Sequence, residues 1–120
     1  MQSEKYRQLV DKLAAKTDRH ELEWKEGAYP GSFQVSFPDY SLLLSEKVRS
    51  EGFNIPPPDI TMSIIDMSGS VIDEIYNFEI DGEGRERPYY LKMRDLYRMV
   101  RQQVLGANKA VEAILSELGE

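Results

Sequence analysis

The side chains that could carry out chemistry are few in this sequence, and they form no catalytic set. The chain contains one histidine, His20, and no cysteine. Serine-based catalysis needs a nucleophile held against a base that an acid orients, and the chain has no Gly-x-Ser-x-Gly elbow. A zinc site of nitrogen and sulfur ligands needs more donors than one histidine supplies. We therefore expect an exposed histidine at a helix end, and a non-enzymatic chain without a metal or cofactor.

Two acidic stretches also lack the spacing of a functional site. Asp73 and Glu74 are neighbours in a predicted strand, so their carboxylates should point to opposite faces. The stretch DGEGRE, residues 81–86, has neither the alternating ligands of a calcium loop nor the Gly-Lys-Ser/Thr of a phosphate loop. We interpret it as a solvated connection.

Basic side chains give the most suggestive pattern. The basic stripe consists of Arg94, Arg98 and Arg101, with Lys92, Arg85 and Arg87 before them. Spacings of four and three residues place the three later arginines on one helix face, where phosphates or a partner's carboxylates could bind. The alternative is an outer helix face that Asp95 and nearby glutamates neutralise.

A second candidate surface is apolar and lies in two predicted loops. Its residues are Tyr29 and Pro30 in one loop and Phe53, Ile55 and Pro56 in the other. Exposed aromatic and proline side chains lose little entropy on binding, which makes them good anchors for a protein partner. Equally, Phe53 and Ile55 could fold back over an edge of the sheet.

Composition indicates one globular domain, residues 1–120, to position these groups. Hydrophobic residues make up 41% and charged residues 30% of 120 residues, which suits a single packed core. No apolar stretch has the length of a signal peptide or a membrane span, so we expect a cytoplasmic protein without membrane contact. A net charge of −6 opposes general attraction to nucleic acid or anionic lipid.

Hydrophobic periodicity predicts a helix followed by three strands in the first half of the chain. The helical face is formed by Tyr6, Leu9, Val10, Leu13 and Ala14. Alternation then predicts inward side chains at Leu22 and Trp24, at Phe33, Val35 and Phe37, and at Tyr40, Leu42 and Leu44. Leu43 should point the other way.

The stretch IIDMSGSVIDEI, residues 64–75, predicts a hairpin. A three-residue loop at 67–69 gives Gly69 the left-handed position, and Asp66 then faces Ser70. The predicted pairs are Ile64 with Ile72, Met62 with Glu74, Ile60 with Tyr76 and, on the other face, Ile65 with Val71. We reject a two-residue loop because it would set Ile64 against Asp73. A hairpin is marginally stable alone, so helices should cover it.

The helices that cover the sheet are predicted in the last third of the chain. Pro88 suits a first helical turn, and the apolar stripe that follows is Tyr89, Met93, Leu96, Tyr97, Val100 and Val104. Gly106 should end that helix. A last helix carries a second stripe of Val111, Ile114, Leu115 and Leu118, which we expect to fold back on the core, with a homodimer contact as the alternative.

The motifs between residues 22 and 118 resemble those of a group of small, largely uncharacterised bacterial proteins. Leu22-Glu23-Trp24 resembles their Leu-x-Trp strand, the run 60–75 resembles their sheet meander, and Val104-Leu105-Gly106 resembles an Ala-Leu-Gly helix end with Val in place of Ala. The resemblance implies a bacterial or phage protein of an accessory or defence-associated kind, and carries over no catalytic residue.

These observations predict an α+β fold: a five-stranded antiparallel meander on one N-terminal and two C-terminal helices, in the order αβββββαα. The predicted function is a protein-interaction module of the immunity, chaperone or defence-adaptor type, which recognises another protein through a sheet edge or loop surface. The alternative is a binder of nucleic acid or a phosphorylated ligand through Arg94, Arg98 and Arg101. The chain should be a monomer or a homodimer.

Overall fold

A computed structural model describes residues 3–47, 58–81 and 87–119 of the chain. The helices are α1 (Ser3–Asp18), α2 (Asn77–Asp81), α3 (Pro88–Leu105) and α4 (Ala107–Leu118). The strands are β1 (Lys25–Glu26), β2 (Ser32–Ser36), β3 (Tyr40–Lys47), β4 (Asp59–Asp66) and β5 (Val71–Tyr76). The strands pair antiparallel in the order β1-β2-β3-β4-β5. The predicted α+β meander is confirmed, and the short α2 is an addition to it.

The sheet buries one face beneath helices because its apolar residues alternate. Leu42 and Leu44 in β3 pair with Ile64 and Met62 in β4, and Leu44 and Met62 are fully buried. Leu43 points to the other face, as the alternation predicts, where Ser45 and Thr61 share a hydrogen bond of 2.7 Å. The face that carries Leu42 and Leu44 is called the helix face below.

Helices α1 and α3 run side by side across the strands. Near its start α1 bonds to β5 through Tyr6 and Asp73, and near its end Thr17 accepts a hydrogen bond from Trp24, just before β1. Helix α3 begins where Asp81 accepts bonds from the backbone of its first turn, and Tyr97 later donates to the carbonyl of Gly31. Both helices therefore cross from the β5 side to the β1 side.

The β4–β5 hairpin has the predicted loop but a different register. Gly69 has a φ of +90° and Asp66 bonds to the Ser70 carbonyl, so the three-residue loop is confirmed, as is the Ile65–Val71 pair. Beyond that pair the strand slips by one residue at a β-bulge, and the other predicted pairs are wrong.

Ile72 is the extra residue of this bulge, and the slip changes which side chains face the helices. Ile64 pairs with Asp73, the arrangement rejected above, and Met62 pairs with Ile75. The predicted register would have placed Glu74 opposite fully buried Met62. The bulge instead buries Ile75, which avoids the cost of placing an unpaired carboxylate in the core.

The first predicted strand is shorter than its alternation suggests. Only Lys25 and Glu26 pair with β2, although Trp24 is buried and belongs to the core. The backbone of Glu21 bonds to Lys16 at the end of α1, so this part of the chain follows the helix end. Trp24 Nε1 then reaches Thr17 Oγ1 at 3.0 Å.

Helix α4 departs from the prediction that it folds back on the core. Gly106 ends α3 with a φ of +68° and donates to the Gln102 carbonyl, as predicted for a helix stop. The four residues of the α4 stripe, however, are exposed by 55% to 75%. The Cα radius of gyration is 16.1 Å, against roughly 13 to 14 Å for a compact domain of this length. Helix α4 therefore extends from the body.

We predict that Trp24→Ala lowers the free energy of unfolding by about 3 to 5 kcal/mol, because it leaves a cavity and removes a buried hydrogen bond. Urea unfolding followed by circular dichroism measures the change. Met67→Ala in the loop of the β4–β5 hairpin is the control and should cost about 0.5 kcal/mol or less, since that side chain is exposed. Equal losses in the two variants would contradict this packing.

Candidate functional site

An apolar groove crosses the helix face beside α1. It has a volume of about 410 Å³. Its lining consists of Leu9, Phe37, Tyr40, Ser41, Leu42, Ile64 and Ile72. Three of its large side chains are substantially exposed: Phe37 by 42%, Tyr40 by 51% and Ile72 by 54%. We call this feature the α1 groove.

The α1 groove exists because two helices cover only part of the sheet. Helix α3 lies over the row that contains Phe33, as the edge contact between Phe33 and Tyr97 shows. Helix α1 lies over the next row, where Tyr6 bonds to Asp73. Phe37 and Tyr40 belong to the following row, near the turns, and neither helix covers it. The groove thus occupies the side of α1 that faces away from α3.

The two rims of the α1 groove carry opposite charges. Lys5 and Lys12 are exposed and lie four residues before and three residues after Leu9, which places them on the same side of α1 as that groove residue. Neither lysine is ion-paired within the described residues. The rim at the turns carries Asp39 and Asp66, but the Asp66 carboxylate already accepts bonds from Ser68 and Ser70.

A partly buried hydrogen bond connects α1 to β5 beside the groove. The Tyr6 hydroxyl donates to the Asp73 carboxylate, which the β-bulge turns toward the helix. Burial, followed by the bond to this carboxylate, raises the pKa of Tyr6 to about 12. This contact anchors the wall of the groove that Leu9 provides.

The structure divides the predicted basic stripe. Lys92 forms an ion pair of 2.8 Å with Asp11 and is therefore not free to bind a ligand with the arginines. The hydrogen bond from Lys92 also holds the pKa of Asp11 below its usual range. Arg101 lies at a separate pocket with Glu46 and Tyr97. Arg94 and Arg98 are exposed on α3, and neither is ion-paired within the part of the chain that the structure describes.

The predicted loop surface is only partly described. Tyr29 is exposed by 43%, and its hydroxyl donates to Ser45 Oγ at 3.2 Å, so its ring folds over the sheet face opposite the helices. Phe53 and Ile55 lie outside the described residues, as do Arg85 and most of the loop at 81–86. Arg87 lies with its guanidinium 4.3 Å from the centre of the Tyr90 ring.

His20 is exposed just after α1, as predicted, with a φ of +59°. Across residues 3–47, 58–81 and 87–119, no three or more His, Asp or Glu side chains are grouped in a way that could hold a metal ion. None of the helices in these ranges is long and apolar enough to cross a bilayer.

Sequence patterns did not identify the α1 groove. Alternation with Val35 and Leu42 predicts that Phe37 and Tyr40 lie on the buried face. That assignment gives their face correctly, but a strand pattern does not show where a covering helix ends. The predicted register has no bulge and therefore places Ile72 in the core opposite Ile64, whereas the bulge leaves it at the groove.

Searches of family models, curated proteins and solved structures found no match to this chain. The candidate site therefore rests on the geometry above.

The raised pKa of Tyr6 predicts a loss of stability in alkaline solution. Between about pH 10 and pH 12 the unfolded chain releases this proton while the folded chain keeps it, so the free energy of unfolding falls as pH rises. In Tyr6→Phe the fall should be shallower. Urea unfolding at about pH 9 and pH 11 measures both slopes, and identical slopes in the two proteins would contradict the Tyr6–Asp73 bond.

Proposed function

We propose that this chain is a non-enzymatic protein-interaction module that receives an amphipathic α-helix in the α1 groove. The observation that supports this proposal is the exposure of Phe37, Tyr40 and Ile72 around one groove on the otherwise buried helix face. A contiguous apolar surface of this kind marks an interaction site more often than scattered exposed side chains do.

The dimensions of the groove suit a helix. Its lining lies on or beside four successive strands, β2 to β5, and four strands spaced about 4.8 Å apart span roughly 14 Å. A helix rises about 1.5 Å per residue, so nine or ten residues would cross the groove. Such a helix would lie beside α1 in the manner of α1 beside α3, and would complete the helical layer.

The lining defines the chemistry of the partner. Its helix needs an apolar stripe at positions i, i+3, i+4 and i+7, the pattern of helix-in-groove recognition. Lys5 and Lys12 on the α1 rim favour acidic side chains at the flank of that stripe. The preferred partner is therefore an acidic amphipathic helix of two to three turns. The docking surface differs from the sheet edge and the loops that the sequence suggested.

We expect an acidic amphipathic peptide with this stripe to bind the chain, and Ile72→Glu to weaken the binding at least about tenfold, because the carboxylate would lie in the apolar groove against an acidic helix. Fluorescence anisotropy of the labelled peptide measures the affinity. Leu91→Glu is the matched control, since Leu91 is also an apolar residue exposed by about half but lies on α3 away from the groove.

The control variant should bind the peptide as the unmodified chain does, and a scrambled peptide of the same composition should not bind. Equal affinity of the unmodified chain and Ile72→Glu, or of the two peptides, would overturn the proposed function. Unchanged circular dichroism spectra would show that both variants fold.

The second candidate is recognition of nucleic acid or a phosphorylated ligand, supported by the exposed and unpaired Arg94 and Arg98 described above. Because these arginines lie away from the α1 groove, we expect Arg94→Glu with Arg98→Glu to leave peptide binding unchanged. A labelled single-stranded oligonucleotide tests the alternative. Binding that this double variant abolishes, and that weakens steeply with added salt, would favour the second candidate.

A further inference from the structure

Helix α4 presents an apolar face that residues 3–47, 58–81 and 87–106 do not cover. Val111, Ile114, Leu115 and Leu118 are each exposed by more than half, although their spacing is that of a helix packed on one side. The helix leaves the body at Gly106, next to Asp18 and His20. It ends at Leu118 with its stripe exposed, and a contiguous apolar face of this kind marks a contact surface.

The α4 stripe matches the α1 groove in size. From Val111 to Leu118 the stripe extends over seven residue steps, or roughly 10 Å along the helix axis. The groove spans roughly 14 Å across four strands. A helix of twelve residues can therefore place its whole stripe within the groove.

The charges of α4 also suit the groove. Glu112 and Glu117 lie on the two flanks of the stripe, whereas Lys109 lies on the opposite side of the helix, as follows from steps of about 100° per residue. One glutamate would face Lys5 and Lys12 in either orientation of α4. The glutamate on the other flank would lie toward Asp39, which does not attract it. The electrostatic attraction between α4 and the groove therefore comes from Lys5 and Lys12.

On this basis, and resting on the proposed function, we infer that α4 of a second copy of this chain occupies the α1 groove. The contact is reciprocal: each copy inserts its α4 beside the α1 of the other, which gives a closed twofold dimer. The dimer holds each groove occupied, so an acidic helix from another protein competes with α4 for the same surface.

The position of α1 favours a second copy over the chain's own α4. The groove lies on the side of α1 that faces away from α3, whereas α4 continues from the end of α3. Glu21, Arg19 and Lys16 are bonded together at the end of α1, next to the point where α4 begins. An α4 folding onto its own groove would have to pass over this end of α1.

The area available is enough for a stable dimer. Each of the four stripe residues can remove roughly 100 Å² of apolar surface from water, and the exposed side chains of the groove add a comparable area. Because the contact occurs twice, the total exceeds the roughly 1,000 Å² that a specific interface needs.

Sedimentation equilibrium of the full chain tests the inference. We expect a mass of twice 13.8 kDa. Ile72→Glu in the groove and Ile114→Glu with Leu118→Glu in α4 should each weaken the dimer by about a hundredfold or more, because each change enters both contacts. Leu91→Glu is the control and should leave the dimer unchanged. Mixing the groove variant with the α4 variant should restore a weaker dimer, since one intact contact remains.

A charge exchange provides an independent test. Lys5→Glu with Lys12→Glu should weaken the dimer on the order of tenfold, and adding Glu112→Lys with Glu117→Lys to the same chain should restore it. Arg94→Glu with Arg98→Glu makes the same change in net charge outside the groove and should have no effect. Failure of the exchange to restore the dimer would overturn the placement of α4 beside α1.

Other outcomes separate this inference from the proposed function. A monomer that still binds the acidic amphipathic peptide at Ile72 would overturn the dimer and leave the proposed function in place. A dimer that only the α4 changes weaken, with Ile72→Glu harmless, would mean that two α4 helices pair directly, which also overturns the inference. A monomer that does not bind the peptide would overturn both.

Discussion

The central constraint on this fold is the apolar helix face of a five-stranded sheet, which has to be covered. Helices α1 and α3 run side by side across the strands and bury the rows that contain Leu44 and Leu42. A third row, with Phe37 and Tyr40, stays half exposed. Each helix covers one row of side chains across the strands. No third helix covers the row of Phe37 and Tyr40, and this leaves a groove in which a helix could lie. The candidate site is therefore a consequence of incomplete cover.

The β-bulge at Ile72 connects the core to this groove. It turns Ile75 into the core and Asp73 toward α1, where the Asp73 carboxylate accepts a hydrogen bond from the Tyr6 hydroxyl. The same slip leaves Ile72 at the groove surface. One inserted residue thus completes the packing beneath the helices, places the carboxylate that bonds to α1 and leaves an apolar side chain exposed at the groove.

The charges of the chain are divided among surfaces with different roles. Lys92 pairs with Asp11 across the contact between α3 and α1. Lys5 and Lys12 instead border the groove, and the glutamates of α4 flank an exposed apolar stripe. A net charge of −6 therefore does not prevent a local basic rim from selecting an acidic helix. Helix α4 has the chemistry that this rim would select.

The sequence alone determined the three long helices, α1, α3 and α4, and the antiparallel order of the strands. Alternation at Val35, Leu42 and Leu44 and the helical stripe of α3 are local patterns, and Gly69 and Gly106 mark the turns that local backbone geometry requires. Tertiary structure decided the rest. The bulge depends on which residue fits against Met62, the exposure of Phe37 depends on where α1 lies, and the α4 stripe looks the same in sequence whether it is buried or free. Each of these depends on contacts between distant segments, which periodicity within one segment does not contain.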